Sequence, residues 1–271
     1  MGKPSILVVN SLVARGGVGG RASVFALERL GFPVIFVPTV VLPWHPGHGR
    51  ATRAEPDAEA FAALLADIAG AAWLGEVGAV LTGYFGNAGQ VEPTARLVAA
   101  VKAATPQAMV LCDPNIGDTG GLFQPEAVAI AIRDRLLPLA DVATPNRFEF
   151  DWLSDATGRL GPREVIITSA ATHADTIETW VTAPEGRVRL THRWLPDNTV
   201  HGTGDLFAAL YLGHRLDGAA PQQAATRASA AVLAMIDAAN DQGLDEIPIA
   251  AGQDSIVAPA TGITVTELSE G

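Results

Sequence analysis

The sequence predicts an α/β fold in which helices pack on a mainly parallel central sheet, with antiparallel strands at one edge. Three observations carry this. Short β-branched apolar runs alternate with helix-length segments through most of the chain, the rhythm of right-handed βαβ crossovers. That rhythm breaks once, into two strand-like runs joined by Ala183-Pro184-Glu185-Gly186, a composition suited to a hairpin turn. With 48% hydrophobic residues among 271, the chain holds enough apolar material for one continuous core, and a single domain over 1–271 is expected.

Taken in order, residues 5–9 form a β-branched apolar run, 15–20 are glycine-rich, and 21–30 have a helical pattern. This reads as strand, loop, helix. A second strand is expected at 34–37. The Pro-, Gly- and His-rich segment 43–50 has no core-forming pattern and is expected to form a flap within about 40–55. The alternation then becomes regular, with helix 57–71, strand 79–82, helix 92–104, strand 108–112, helix 124–135, strand 141–144, helix 146–153 and strand 164–168. Strand runs 176–182 and 187–194 form the hairpin that makes the edge antiparallel. Two Ala-rich helices, 204–216 and 221–239, follow, and a short strand is expected at 263–267.

Formal charge is −11, with acidic residues scattered along the chain, so no basic footprint for nucleic acid is present. Anionic substrates must then be met locally, by backbone amides or a metal. Cys112 is the single cysteine and has no intrachain partner, the start runs directly into a strand-like segment, and Gly, Pro or charge interrupts every apolar run. An enzyme of the cytoplasm acting on small molecules, without nucleic-acid or membrane partners, is the expectation.

Chemistry concentrates at Gly202-Thr203-Gly204-Asp205, just before an apolar helical run. The first N–H groups of a helix lack intrahelical acceptors and carry the positive end of its dipole, so they bind anions without a lysine. Asp205, favoured there as the carboxylate, is positioned to accept a proton. The same tetrapeptide also reads as an ordinary helix cap. Its place late in an α/β array, opening an almost uncharged helix, favours the site. A second cluster, Thr144-Pro145-Asn146-Arg147-Phe148-Glu149, follows a strand. Asn146 and Glu149 suit either a hydrated Mg²⁺ or a capping box, and the residues alone leave both open. Asp113, with Asp118 close behind, ends another strand, so Asp113, Thr144 and Thr168-Ser169 put polar groups on three successive strand ends.

These residues resemble the ribokinase-like superfamily and, within it, the pyridoxal kinase family. Asn10-Ser11-Leu12-Val13 with Arg15-Gly16-Gly17-Val18-Gly19, then Leu81-Thr82-Gly83-Tyr84, Cys112-Asp113-Pro114, Gly117-Asp118, Thr144-Pro145-Asn146-x-x-Glu149 and Gly202-Thr203-Gly204-Asp205-Leu206-Phe207 follow the family's order over nearly the whole chain. The resemblance implies a three-layer α/β/α ribokinase-like fold, a homodimer, and transfer of the γ-phosphoryl group of ATP to the 5′-hydroxymethyl group of pyridoxal and related B6 vitamers. Asp205 would be the base, and Gly202, Thr203 and Gly204 the anion hole. Ser11, Val18, His45 and Tyr84 would hold the ring. Asp113, Thr144, Asn146, Glu149, Thr168, Ser169, Asp197, Asn198, Val200, Gly202 and Thr203 would serve ATP, with 196–200 along the adenine. Asp113, Asp118 and Glu149 would attend Mg²⁺, partly through water, and the family also admits a monovalent cation.

Departures gather around the acceptor. Pro43-Trp44-His45-Pro46 stands where the family has Ser-Asn-His-Thr, Leu12 replaces its His, Gly20 replaces its Asn, and Asn115 replaces a usual Val. A kinase of the same fold acting on hydroxymethylpyrimidine or another small molecule is therefore the alternative, and a non-catalytic binder of B6 or nucleotide a further one. A Rossmann dehydrogenase is disfavoured, because Gly16-Gly17-Val18-Gly19-Gly20 lacks the dinucleotide-binding spacing.

Overall fold

β1 (Ser5–Val13) is an apolar strand that turns through the glycine loop into α1 (Gly20–Arg29) and returns as β2 (Val34–Leu42). In this computed structural model, which describes residues 2–195, 200–259 and 262–268, there follow α2 (Ala58–Ala69), β3 (Val77–Thr82), α3 (Val91–Ala104) and β4 (Met109–Cys112). A small hairpin, β5 (Gly117–Asp118) and β6 (Gly121–Leu122), leads to α4 (Glu126–Ala131), β7 (Val142–Ala143), α5 (Arg147–Leu153) and β8 (Glu164–Thr172). The chain ends with β9 (Thr176–Ala183), β10 (Gly186–Arg193), α6 (Thr203–Leu216), α7 (Pro221–Asp241), α8 (Gln253–Val257) and β11 (Thr264–Leu268).

The main sheet has the order β11-β10-β9-β8-β7-β4-β3-β1-β2. Pairing is parallel from β2 to β8 and antiparallel from β8 to β11. Alternation along β1 divides the core: Ile6 and Val8 face α1, α6 and α7, while Leu7 and Val9 face the opposite layer of α2, α3 and α4. Those two apolar clusters join the sheet to the two helical layers of a three-layer α/β/α sandwich. Helix α6 is buried from Asp205 to His214, which explains its nearly uncharged sequence.

Several boundaries differ from the sequence expectations, each for a local reason. β1 and β2 run on to Val13 and Leu42, past 9 and 37, so β2 takes the start of the expected flap, and a Val41–Ala54 bridge ties the flap's far side to it. The strand expected at 141–144 is reduced to Val142–Ala143, because Thr144 has already turned toward the cleft below. The helix expected at 124–135 starts at Glu126 after Pro125 and gives way at Ile132 to a π-turn. The β5–β6 hairpin and α8 are too short to leave a periodic signal. The weakly patterned strand expected at 263–267 is β11, and it closes the sheet by pairing with β10.

Candidate active site

The carboxyl ends of β1, β3, β4, β7 and β8 and the first turn of α6 converge on a cleft of about 490 Å³. This is where ligands gather in open α/β sheets. Gly202 enters α6 with a left-handed φ of 88°, and a Cβ on it would lie 2.2 Å from the Gly17 carbonyl oxygen. Only glycine meets both demands. Gly204 faces open space, so the amides of this first turn border the cleft unobstructed.

Asp205 occupies the same turn, 8% exposed. Its Oδ1 accepts from Asn10 Nδ2 at 2.9 Å and its Oδ2 from the Gly19 amide at 2.8 Å. Burial pushes its pKa up, and the Asn10 and Gly19 hydrogen bonds oppose that rise. The result is a carboxylate more basic than usual yet still favoured in its ionised form by two donors.

Two more buried carboxyls line the cleft. Asp113 accepts from the Thr144 hydroxyl at 2.9 Å, and burial, with the charges of Glu149 and Asp205 added, holds its pKa well above the ordinary range. Glu149 accepts from the Ile116 amide at 2.7 Å through Oε1 and from the Asn146 amide at 2.9 Å through Oε2. Asn146 Oδ1 in turn accepts from the Glu149 amide at 3.0 Å, completing the capping box, and Asn146 Nδ2 donates to the Gly117 carbonyl at 2.7 Å. Burial raises Glu149 to about 7 against its backbone hydrogen bonds, with Asp118 on the β5–β6 hairpin adding repulsion. Among the described residues no Lys or Arg pairs with Asp113, Glu149 or Asp205, and no three His, Cys, Asp or Glu side chains gather closely enough to enclose an ion. Uncompensated buried carboxyls without a closed ligand set suit a cation that arrives on phosphates and keeps its waters.

One lobe of the cleft is apolar. Val13, Val18 and Leu42 pack with Tyr84, while Ser11 and His45 supply polar atoms. His45 lies over His201, ring centroids 4.0 Å apart, and burial, followed by the charges of His201 and His48, lowers it to about 4, so it is a neutral imidazole at physiological pH. The flap is tied down by His48, whose Nε2 is 2.7 Å from Asp245 Oδ2, and the adjacent Glu246 accepts from the Gly17 amide at 2.8 Å.

A second cleft of about 290 Å³ shares Asn146, Thr168 and Gly204 with the first and contains Ser169 and Thr203. Its wall of Trp194, Leu195, Phe207, Val232, Leu233 and Ile236 forms an apolar slot. The two clefts meet at the start of α6. Every sequence-predicted site residue among the described ones lines one or both, except Val200, which is buried in the core beside α6, and Thr203, Ser169 and Thr168 lead toward the slot. Asp197 and Asn198 lie outside the described residues. Sequence reasoning missed Asn10, Arg53, His201 and the apolar slot. The α7 contributors to that slot are indistinguishable in sequence from core residues of an amphipathic helix.

A family model described as phosphomethylpyrimidine kinase matches residues 62–250. The chain is 35% identical to pyridoxal kinase PdxY of Rubrobacter xylanophilus, over 98% of each chain. It is also 35% identical to pyridoxal kinase PdxY of Granulibacter bethesdensis, over 95% of this chain and 97% of that one. Among solved structures, pyridoxal kinase from Leishmania donovani in complex with ADP and pyridoxine superposes with a TM-score of 0.88 at 28% identity, covering 98% of this chain and 99% of that one.

Proposed function

The chain belongs to the pyridoxal kinase family, and from that premise we propose how its own residues transfer the γ-phosphoryl group of ATP to the hydroxymethyl group of a B6 vitamer. The observation that carries the reading is the first turn of α6. It joins the apolar slot, suited to the adenine, to the lobe around Ser11, Val18, His45 and Tyr84, suited to a planar ring, and it sets a buried carboxylate where they meet.

Gly202, Thr203 and Gly204 turn amides toward the junction and stabilise the charge that develops on the transferring group. Asp205, held by Asn10 and Gly19, orients the acceptor hydroxyl and takes its proton. Thr168, Ser169 and Asn146 line the path of the phosphates, and Tyr84 and Val18 flank the ring. Asp113 and, through water, Glu149 and Asp118 would hold Mg²⁺, which when bound neutralises phosphate charge. Positioning and electrostatics therefore dominate, as in phosphoryl transfer generally. Assembly as a homodimer is a further part of the reading, and sedimentation of the 28.1 kDa chain tests it.

Steady-state kinetics with Mg-ATP on pyridoxal, pyridoxamine, pyridoxine and hydroxymethylpyrimidine tests the reaction and the acceptor together. Phosphorylation of the B6 vitamers with the highest kcat/KM is expected. A clear preference for hydroxymethylpyrimidine moves the chain to the reading that its family model's description favours, and binding without turnover across the panel ends the kinase reading. Asp205→Ala should lower kcat at least roughly a hundredfold, the size of base assistance, with little change in ATP affinity. Near-normal turnover would remove Asp205 as the base.

A further inference from the structure

The carboxamide of Asn10, in the second half of β1 and only 1% exposed, meets three parts of the site at once. Its Nδ2 donates to Asp205 Oδ1 at 2.9 Å. Its Oδ1 accepts from two backbone amides, Ser11 at 2.7 Å and Tyr84 at 3.0 Å. Such a group has one orientation. Reversing it would set an NH₂ against two N–H donors and a carbonyl oxygen against a carboxylate, two repulsions in a buried place. Gly83 makes room for it, since a Cβ there would lie 2.5 Å from Asn10 Nδ2. The β1–β2 register also shifts between Asn10 and Leu12, where Asn10 stands opposite Pro38.

We propose that Asn10 is a positioning residue that locks the Asp205 carboxylate to the two segments holding the acceptor ring, so that base and ring are registered through one rigid planar group. This rests on the reading of Asp205 as the base. The Ser11 and Tyr84 segments form the acceptor lobe, and their backbones are fixed on one side of the carboxamide while the base is fixed on the other. The Gly19 amide holds the second oxygen of Asp205 at 2.8 Å, so the carboxylate cannot rotate, and its remaining lone pairs are left for the acceptor hydroxyl. Asn10 is also the donor that favours the ionised base in a neighbourhood that opposes it. Asp113 and Glu149 are the other buried carboxyls of the cleft, and Asn115 Nδ2 adds a long contact of 3.5 Å to Asp205 Oδ1.

Neither a buried Asn within a strand nor a glycine directly after β3 announces this in sequence. The arrangement exists only because β1 and β3 are parallel neighbours, which brings Tyr84 beside Asn10, and because α6 starts above them.

The test compares wild type with Asn10→Asp, which keeps the shape but sets a second carboxyl against Asp205, and with Asn10→Ala, which removes the donor. The pH dependence of kcat and kcat/KM is read with pyridoxal as acceptor. Both variants are expected to lose about ten- to a hundredfold in kcat. The acid limb should move to higher pH in both, because losing the amide donor raises the pKa of the base, and further in Asn10→Asp, because a second carboxyl adds like-charge repulsion. KM for the acceptor should rise, while KM for Mg-ATP stays within about twofold, since Asn10 touches nothing in the nucleotide slot. Wild-type kcat with an unmoved acid limb in either variant overturns the proposal. So does a lower melting temperature accompanied by a wild-type pH profile, which marks a merely structural residue. If Asn10→Asp does not fold, Asn10→Ala decides by the same readouts, and if neither folds, Asn10→Ser is read in their place. A full loss in Asp205→Ala beside unaffected Asn10 variants sinks this inference alone. An active Asp205→Ala sinks the reading of the base beneath it.

Discussion

Arg53 shows how a single side chain can bias the choice of acceptor. Its Nη1 donates to the Tyr84 hydroxyl at 3.0 Å, while Nε and Nη2 donate to Glu55 at 3.0 and 2.8 Å. With its oxygen accepting from Arg53, the Tyr84 phenol keeps its own proton to donate, so this wall of the cleft favours a ring substituent that accepts a hydrogen bond. The phenolic oxygen of a B6 vitamer is such a group, whereas the exocyclic amine of hydroxymethylpyrimidine is a donor. Arg53→Ala should therefore lower kcat/KM for pyridoxal by roughly fivefold, about 1 kcal/mol, the typical worth of one such bond. It should change turnover of the pyrimidine less, narrowing the ratio between the two acceptors. An unchanged ratio removes Arg53 from specificity. The cleft residues marked out by their own chemical type, Asp205, Gly202 and Glu149, were legible in sequence as candidates. Arg53 and Asn10 were not, because their roles depend on partners 31 and 195 positions away. The flap substitution at Pro46 was visible, but nothing in the sequence said that an arginine seven positions later lines the same lobe.

Among elements, α5 forms the capping box that the Asn146–Glu149 spacing allowed, and the same two side chains line the cleft. Asn146 and Glu149 do form a capping box, yet Glu149 Oε1 reaches beyond it to the Ile116 amide and fixes the loop that carries Asn115 and Gly117 into the cleft. The cap and the cleft wall share these two side chains, which is why spacing alone left both readings open. At the far end of the sheet, β8 and α6 are joined by Glu164, which accepts from Arg215 Nη2 at 2.6 Å and Nε at 3.0 Å and from the Tyr211 hydroxyl at 2.6 Å. Both charged side chains are largely buried. Arg215→Leu leaves the Glu164 carboxylate desolvated and without its cation, and should cost about 3–5 kcal/mol in chemical denaturation. Because the pair lies at the amino end of β8, away from the cleft, KM values of the folded fraction should stay near wild type. A loss below about 1 kcal/mol would place the pair with ordinary surface salt bridges. The strands were read from β-branched runs, but their lengths were not, since β1, β2 and β8 continue past the interruptions Asn10-Ser11, Pro38-Thr39 and Ser169, where pairing with neighbours holds the chain in the sheet.

For the whole molecule, the cleft sets a stability that depends on pH. Burial raises Glu149 from 4.5 to about 7 and moves Asp113 and Asp205 in the same direction. A carboxyl with a raised folded pKa binds more protons folded than unfolded between those two values. Its contribution to stability is complete below the unfolded pKa and is lost as pH rises through the folded one. For Glu149 the window runs from 4.5 to about 7, and a shift of that size corresponds to at most about 3 kcal/mol. Net charge of −11 adds repulsion that grows over the same range, so the wild-type curve alone does not isolate the cleft. The difference between wild type and Glu149→Gln does, because the surface charges are common to both. Urea denaturation at several pH values between 5 and 8, without nucleotide or metal, should show the variant gaining on the wild type as pH rises, by a few kcal/mol over the window. Adding Mg-ATP should shrink that gain, since cation and phosphates then share the cleft with the ionised carboxyls. Parallel curves for the two proteins would mean that Glu149 titrates near its ordinary value, and the case that this cleft is built for a metal-bound phosphate chain would lose its electrostatic support.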